Sequence, residues 1–488
     1  MKIGIIGAGI GGLATSALLA SAGHDVTVFE QNSKFGGKMN EIKLGDFRFD
    51  TGPSLLTMPF LLDAIFSRCD EKREDYLALK PLSPLCRYFY QDGVRFDCFS
   101  DIPQTLAEID DFAPEDRQAY VEFLGHSANL YEKTAPAFLF NTLDSLTELT
   151  KLPLTDFFKI NPFQTVSQVV DQYFKSPHLR QFFKRFVTYN GSSPWQAPAT
   201  LNVIPYVELC MGGYYVEGGI YQVANALKKL GDSVGVRYHF NTAIDNIDIQ
   251  DGSCQGLSTT RGESFNFDII ISNSDASHTY LNLIDRNHLP KSVPKKHTKI
   301  EPSCSGFVLL LGIDRQYEKL MHHNVFFSRD YRAEFESIFR DKKMPSDPTI
   351  YVANTSYSDP VHATKGGSNL FILVNAPYLD DSINWPDEKN HWADSIITML
   401  ENRELDDLGK HIIKKEIITP LNFKQLYSAN KGSIYGTSSN SKWSAFRRPK
   451  NRSPYLNNLY LTGGSTHPGG GIPLVLLSAI NVCDLIEK

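Results

Sequence analysis

The chain has 488 residues, about three domains' worth of material, and 42% are hydrophobic against 21% charged, so a large core is available and wholesale disorder is excluded. Forty-nine Lys and Arg against 55 Asp and Glu leave a net charge of -6 without a long basic run, which argues against a nucleic-acid binder. Mean hydropathy of -0.25 argues against a polytopic membrane protein. The seven cysteines, at 69, 86, 98, 210, 254, 304 and 483, include no CxxC pair. Neither a metal site nor a disulfide framework is expected, only scattered buried thiols.

Residues 3 to 23 carry no charge, follow Lys2, and contain Ala20-Ser21-Ala22, which imitates a signal-peptidase site. Six of those 21 residues are glycine, however, and a continuous helix would lose about 1 kcal/mol at each relative to alanine. Asp25-Val26-Thr27-Val28-Phe29-Glu30 then alternates like a strand. The pattern predicts strand (Lys2 to Ile6), glycine turn, helix and strand rather than one apolar rod.

The turn is Gly7-Ala8-Gly9-Ile10-Gly11-Gly12, which contains G-x-G-x-x-G. Gly7 suits a tight turn, Gly9 lets the backbone approach a pyrophosphate, and Gly12 allows close packing of helix on strand. The helix N-terminus offers free N–H groups to an anion. Glu30, 18 residues beyond Gly12, stands where a carboxylate can accept bonds from a ribose diol. Gln31 to Lys38 follow, with Gly36-Gly37-Lys38 as a second glycine pair and a cation. The whole run resembles the extended fingerprint of two-dinucleotide-binding flavoproteins and favours FAD over NAD(P).

Phe49-Asp50-Thr51-Gly52-Pro53-Ser54 reads as a turn returning to the nucleotide site. Asp92-Gly93 divides two strand-like pieces, Arg87 to Gln91 and Val94 to Cys98, into a hairpin. Residues 115 to 190 read as mostly helical, interrupted by prolines. The apolar stretches Pro136 to Phe140 and Leu152 to Phe158 fit either cap-domain core helices or a patch that dips into a bilayer surface. Beyond Gly218-Gly219 come a helix (Tyr221 to Leu230), a strand (Val234 to Phe240), a hairpin at Asp251-Gly252 and a buried strand (Asp268 to Asn273). Strands at Phe307 to Leu311, Thr349 to Ala353 and Leu370 to Val374, with a helix near 388 to 403, predict a second sheet. A substrate domain is thereby inserted between pieces of the cofactor domain. The C-terminus returns to glycine in Thr462-Gly463-Gly464-Ser465-Thr466-His467-Pro468-Gly469-Gly470-Gly471-Ile472-Pro473, between a strand and an apolar helix. That arrangement aims a positive helix end at a second part of the cofactor.

Taken together, the fingerprint, Gly52-Pro53, Gly218-Gly219, Ser272-Asn273-Ser274-Asp275 and the C-terminal T-H-P-G-x-G-I-P resemble the bacterial phytoene-desaturase-type carotenoid desaturases over essentially the whole chain. Tyr189-x-Gly191-x-x-Pro194, Ala197-Pro198-Ala199, Gly432 to Gly436, Phe446-x-Arg448-Pro449 and Gly463-Gly464-Ser465 look more like the 1-hydroxycarotenoid 3,4-desaturases than phytoene desaturases, which usually show Gly where Leu474 follows Pro473. Gly464 stands where many amine oxidases carry an acid, which counts against that activity. The resemblance implies an α/β fold, with an amine-oxidase-like Rossmann-type FAD-binding domain of residues 1–85, 215–290 and 455–488. It implies a mixed-sheet substrate domain of 86–114 and 291–454, and a helical cap of 115–214 that meets the membrane. FAD is expected against Gly7, Ala8, Gly9, Ile10, Gly11, Gly12, Glu30, Gln31, Gly36, Gly37, Lys38, Gly52, Pro53, Ser54, Ile244, Asn273, Gly463, Gly464, Gly471 and Ile472.

The implied reaction removes a hydride and a proton from a long polyene, a carotenoid, on the cytoplasmic face of the membrane. Phytoene desaturation, redox-neutral carotenoid isomerisation, and a non-catalytic carrier retaining FAD are the alternatives. A cation delocalised over a polyene gives up its proton easily, and no Ser-His-Asp set, HExxH or paired carboxylates are present in motif context. His467 is the candidate base, or else a turn residue holding backbone carbonyls. Arg185 and Tyr189 are candidates for steering a hydroxylated end group, or else a surface ion pair and a packed ring.

Overall fold

The computed structural model describes residues 1–141, 163–441 and 448–488. Its first layer is a five-stranded parallel sheet. The strands run in the order Leu459–Leu461, Ile269–Ser272, β1 (Lys2–Ile6), β2 (Asp25–Phe29) and Arg237–His239. Sheet and helix faces both bury β1, so Ile3 and Ile5 have no accessible surface and the strand reads as a near-continuous apolar run. The first helix, α1 (Ile10–Ser21), is buried from Ile10 to Ala20 because it packs against both the Tyr221–Ser233 helix and the C-terminal Ile472–Ile486 helix. Leu13, Leu18 and Leu19 anchor it, each contributing about 1.5–3 kcal/mol by leaving water. The first and last segments of the chain thus share one core.

The second sheet has seven strands, ordered Ile412–Ile418, Ser305–Ile313, Ser368–Ala376, Ile350–Asn354, His323–Phe326, Cys86–Phe89 and Arg95–Cys98. The expected hairpin at Asp92-Gly93 forms, with Cys86 opposite Cys98, and Asn324 to Phe326 add it in parallel to this sheet. The helix expected near 388 to 403 spans Trp385–Glu401 and covers one face through Ala393, Ile396 and Leu400. The Asp251-Gly252 hairpin joins Ile244–Gln250 to Ser253–Thr259. Between the sheets, helices Arg117–Thr134, Val166–Tyr173 and Pro177–Arg185 pack through Phe123, Phe174, Phe182 and Phe183.

Two expectations are corrected. The strand drawn over Val234 to Phe240 contracts to Arg237–His239, because Gly235 turns at φ +87° after the preceding helix and Val236 bonds back to Gly231. The cysteines are not all buried: Cys210 is exposed, and all seven are free thiols. Among the described residues no helix is long and apolar enough to cross a membrane. Leu152 to Phe158 and Phe446 lie outside the described residues, while Phe140, at the end of the other apolar stretch, is exposed.

Candidate active site

The N-terminal turn is fixed by contacts that tolerate no side chain. Gly7 sits at φ +93°, and its N–H donates to the Phe29 carbonyl at 2.7 Å, tying the turn to the end of β2. A Cβ on Gly12 would overlap the Gly7 carbonyl oxygen, so the helix lies against the turn as only glycine permits. No side chain caps the first turn of α1. Its amides are left for an anion. Glu30, buried at the end of β2, accepts the Ala8 N–H at 2.8 Å through one oxygen and the Asn32 backbone and side-chain amides at 2.9 Å through the other. Burial raises its pKa, and these hydrogen bonds oppose the rise by favouring the anion.

The second glycine pair closes on the first. Gly36 donates to the Ala8 carbonyl at 2.8 Å, and a Cβ on Gly37 would stand 3.1 Å from the Gly9 Cα. Lys38 extends across the site, its Nζ donating to the carbonyls of Ser433 at 2.9 Å and Ile434 at 3.1 Å. Its desolvation pulls the pKa down to about 8. Gly52 passes under the Lys38 carbonyl, where a Cβ would collide. The C-terminal turn arrives from the other side: a Cβ on Gly11 would stand 3.1 Å from the Gly463 Cα. The Asn273 carboxamide lies between them, its Oδ1 2.6 Å from where a Cβ on either Gly11 or Gly463 would fall.

These turns form one end of a cavity of about 710 Å³. Gly7, Gly9, Ile10, Gly11, Glu30, Gln31, Gly36, Gly37, Lys38, Gly52, Pro53, Ser54, Ile244, Asn273, Gly463, Gly464, Gly471 and Ile472 all line it. Ala8 and Gly12 do not: Ala8 is fully buried behind the turn, and Gly12 serves the packing of helix on strand. Bare backbone, uncapped amides and a buried carboxylate provide what a dinucleotide requires, so the residues fit FAD. Among the described residues no group of His, Cys, Asp and Glu could hold a metal ion.

The cavity continues past Leu85, Ile204, Val308, Val325, Phe371 and Leu373 to a buried polar cluster. Arg185, which ends its helix, donates through Nη2 to Glu208 Oε1 and through Nη1 to the Tyr189 hydroxyl, both at 3.2 Å. The guanidinium also lies over the rings of Phe186 at 4.5 Å and Tyr189 at 5.2 Å. Arg185 is 7% exposed and Glu208 2%, which corrects the surface-pair reading: this ion pair is buried, and Arg185, Tyr189 and Glu208 all line the cavity. Glu208 was not foreseen. A lone carboxylate in the apolar run Val207-Glu208-Leu209-Cys210 was its only signal. Tyr351 and His323, also on the cavity wall, had none, because neither stands in a motif.

His467 lines the cavity too, but its Nε2 is 2.8 Å from the Asn141 carbonyl and therefore carries the proton. Burial brings its pKa down to about 4. This is the geometry of a side chain holding a backbone carbonyl, the second of the two expected roles.

Residues 10–486 match the family described as flavin containing amine oxidoreductase. The chain is 36% identical to a 4,4'-diapolycopene oxygenase of Methylomonas sp, over 99% of this chain and 98% of that one. It is 35% identical to a 4,4'-diaponeurosporene oxygenase of Staphylococcus aureus (strain MRSA252), over 99% and 97%. Both bear the name oxygenase rather than 3,4-desaturase. In fold it resembles an oxidoreductase from Methanosarcina mazei (TM-score 0.67, 17% identity, 100% of both chains). A putrescine oxidase variant gives the same TM-score of 0.67 at 11% identity, over 100% of this chain and 98% of that one. Cradle, fold and full-length kinship agree: the chain belongs to the flavin-containing amine oxidoreductases, as a carotenoid-desaturase-type member and an FAD-dependent oxidoreductase.

Proposed function

We propose that the protein oxidises a carotenoid in carotenoid biosynthesis, taking a hydride and a proton from the polyene at or near one end. One observation carries this reading: the cavity that begins at the glycine turns continues along apolar side chains and meets a buried Arg185–Glu208–Tyr189 cluster. An extended hydrocarbon fits the apolar walls, and a polar terminus fits the cluster. FAD supplies the hydride acceptor. Gly7, Gly9, Ile10, Gly11, Gly36, Gly37 and Gly463 would hold it by backbone and Glu30 its ribose, while Asn273 spaces the two turns. Arg185 and Tyr189 orient the end group, His467 braces the C-terminal turn, and the apolar wall excludes water.

Two outcomes fit this chemistry. The kinship with named oxygenases favours oxygen entry, in which water adds to the cation left by the hydride and sheds a proton. The Tyr189 to Pro194 and Gly432 to Gly436 segments favour 3,4-desaturation of a 1-hydroxycarotenoid, and the buried cluster suits a hydroxyl there. Residues 1–85, 215–290 and 455–488 form the cofactor domain in this reading, 86–114 and 291–454 the substrate domain, and 115–214 a cap against the inner face of the membrane. Co-expression with strains making 4,4'-diaponeurosporene or a 1-hydroxycarotenoid tests it by pigment mass. Gain of oxygen selects the first outcome, loss of two hydrogens from the hydroxylated pigment selects the second, and unchanged masses with FAD-loaded protein overturn both.

A further inference from the structure

The oxidation proposed above leaves a proton to dispose of inside an apolar cavity. Each hydride removed from the polyene breaks one C–H bond and leaves a delocalised cation. The cation is neutralised by loss of a proton from the neighbouring carbon, or by addition of water, whose oxygen then sheds a proton. Either way one proton per hydride must leave a chamber whose walls are mostly hydrocarbon.

A line of exchangeable groups leads out of that chamber. Ser54, on the turn after the Phe47–Asp50 strand, lines the cavity, and its hydroxyl lies 2.5 Å from the Tyr351 hydroxyl. The Tyr351 hydroxyl lies 2.7 Å from His323 Nδ1. Tyr351 and His323 project from neighbouring strands of the seven-stranded sheet, Ile350–Asn354 and His323–Phe326, two residues off register and so on one face. His323 Nε2 has no hydrogen-bond partner, although the atom is buried. Against that ring, at a centroid distance of 4.4 Å and an interplanar angle of 73°, lies His322, whose Nε2 is likewise buried without a partner. His322 Nδ1 is 2.7 Å from the Ser358 hydroxyl, and Ser358 is half-buried beside Asp359 at the protein's outer layer. Two buried, unpartnered imidazole nitrogens on consecutive histidines packed edge to face cost stability and call for a functional reason.

We propose that Ser54, Tyr351, His323, His322 and Ser358 form a proton relay from the cavity to the surface. The proton enters at the Ser54 and Tyr351 oxygens as the phenolic proton passes to His323 Nδ1. The Nε2 proton of His323 crosses to His322 Nε2 when the rings turn to bring these two unpartnered atoms within reach, and His322 Nδ1 hands its own to Ser358 and solvent. Each member gains one proton and loses one, so no residue changes charge over the cycle. Arg185, close enough to disfavour a protonated His323, keeps the proton from resting there, and burial holds both imidazoles neutral. These residues act through one another and are positioning residues for proton exit.

The inference rests on the proposed oxidation and is tested in the same holoenzyme. FAD-loaded protein in excess is mixed anaerobically with 4,4'-diaponeurosporene or a 1-hydroxycarotenoid in detergent micelles, quenched at intervals in H2O and D2O, and the product measured by mass. Tyr351→Phe, and His322→Asn, which lies behind the cavity wall, are expected to keep their FAD and slow product formation at least tenfold. Their solvent isotope effect should rise above about 2, since proton exit now limits the rate. Wild-type turnover with unchanged rates or unchanged isotope effects in both variants overturns the relay alone. A wild-type enzyme that leaves both polyenes intact overturns the oxidation reading and the relay together. A second readout needs no turnover: in 15N-histidine-labelled protein, Tyr351→Phe should shift the His323 Nδ1 resonance, and an unshifted spectrum refutes the shared proton.

Discussion

At the scale of single residues, the site is made as much by missing side chains as by present ones. Gly12 has the Gly7 carbonyl oxygen where a Cβ would go, so Gly12→Ala must push α1 off β1. Overpacking of this kind costs about 1–3 kcal/mol, and a lowered melting temperature with substoichiometric FAD after purification is the expected outcome. Such glycines were legible in the sequence because the steric need and the spacing are both local. Glu208 was not, since its meaning comes from Arg185 more than twenty positions earlier. Breaking that buried pair on one side strands the other charge: Arg185→Met should destabilise by about 3–5 kcal/mol, whereas Arg185→Met with Glu208→Leu should recover most of the loss. Denaturant unfolding of the two variants checks this.

At the scale of elements, the strand–turn–helix unit at the N-terminus and the strand–turn–helix unit at the C-terminus were both readable, because each is contiguous and punctuated by glycine. Their meeting was expected only through a common cofactor. The structure shows the contact to be direct, Gly11 against Gly463 with Asn273 between, and α1 against the terminal helix. The seven-stranded sheet shows the reverse. Five of its seven strands stand at nearly the expected places, but His323–Phe326 and Ile412–Ile418 were not expected; the parallel pairing of Cys86–Phe89 with His323–Phe326 joins segments more than 230 residues apart, and periodicity carries no information about partners. The antiparallel pairing of His323–Phe326 with Ile350–Asn354 is what sets His323 beside Tyr351 on the cavity wall. With FAD held between both chain ends, as proposed, ligand should protect them together. FAD at 100 times its Kd should add about 2.7 kcal/mol to the apoprotein and slow proteolysis at both ends in parallel. Protection of one end only would separate the two turns.

At the scale of the whole molecule, burial of neutral imidazoles makes stability pH-dependent. His297, His322 and His467 are desolvated to about 4, 3 and 4, from 6.5 in the unfolded chain. Their contribution is therefore full above pH 6.5 and is lost as pH falls toward 4. Glu334, buried and raised to about 7, acts oppositely: its contribution is lost as pH rises from 4.5 through 7. These histidines outnumber Glu334, and the strongly depressed His323 adds to them, so the unfolding free energy falls on acidification from pH 6.5 to 4.5, by about 1.4 kcal/mol per pH unit for each net proton. His467→Asn should lower that slope by about 1.4 kcal/mol per pH unit, read from denaturant unfolding at pH 6.5 and 4.5. The cap makes a separate prediction: holoprotein should float with liposomes, and protein that stays with the soluble fraction would remove the membrane from the account.

The proposed reaction is oxidation of a polyene by FAD held between the two chain ends. It is tested most directly by a single anaerobic mixing of FAD-loaded protein with excess carotenoid, counting oxidised pigment by mass against bound FAD. Close to one oxidised molecule for each FAD is expected; full FAD occupancy with no oxidised pigment would refute the reaction.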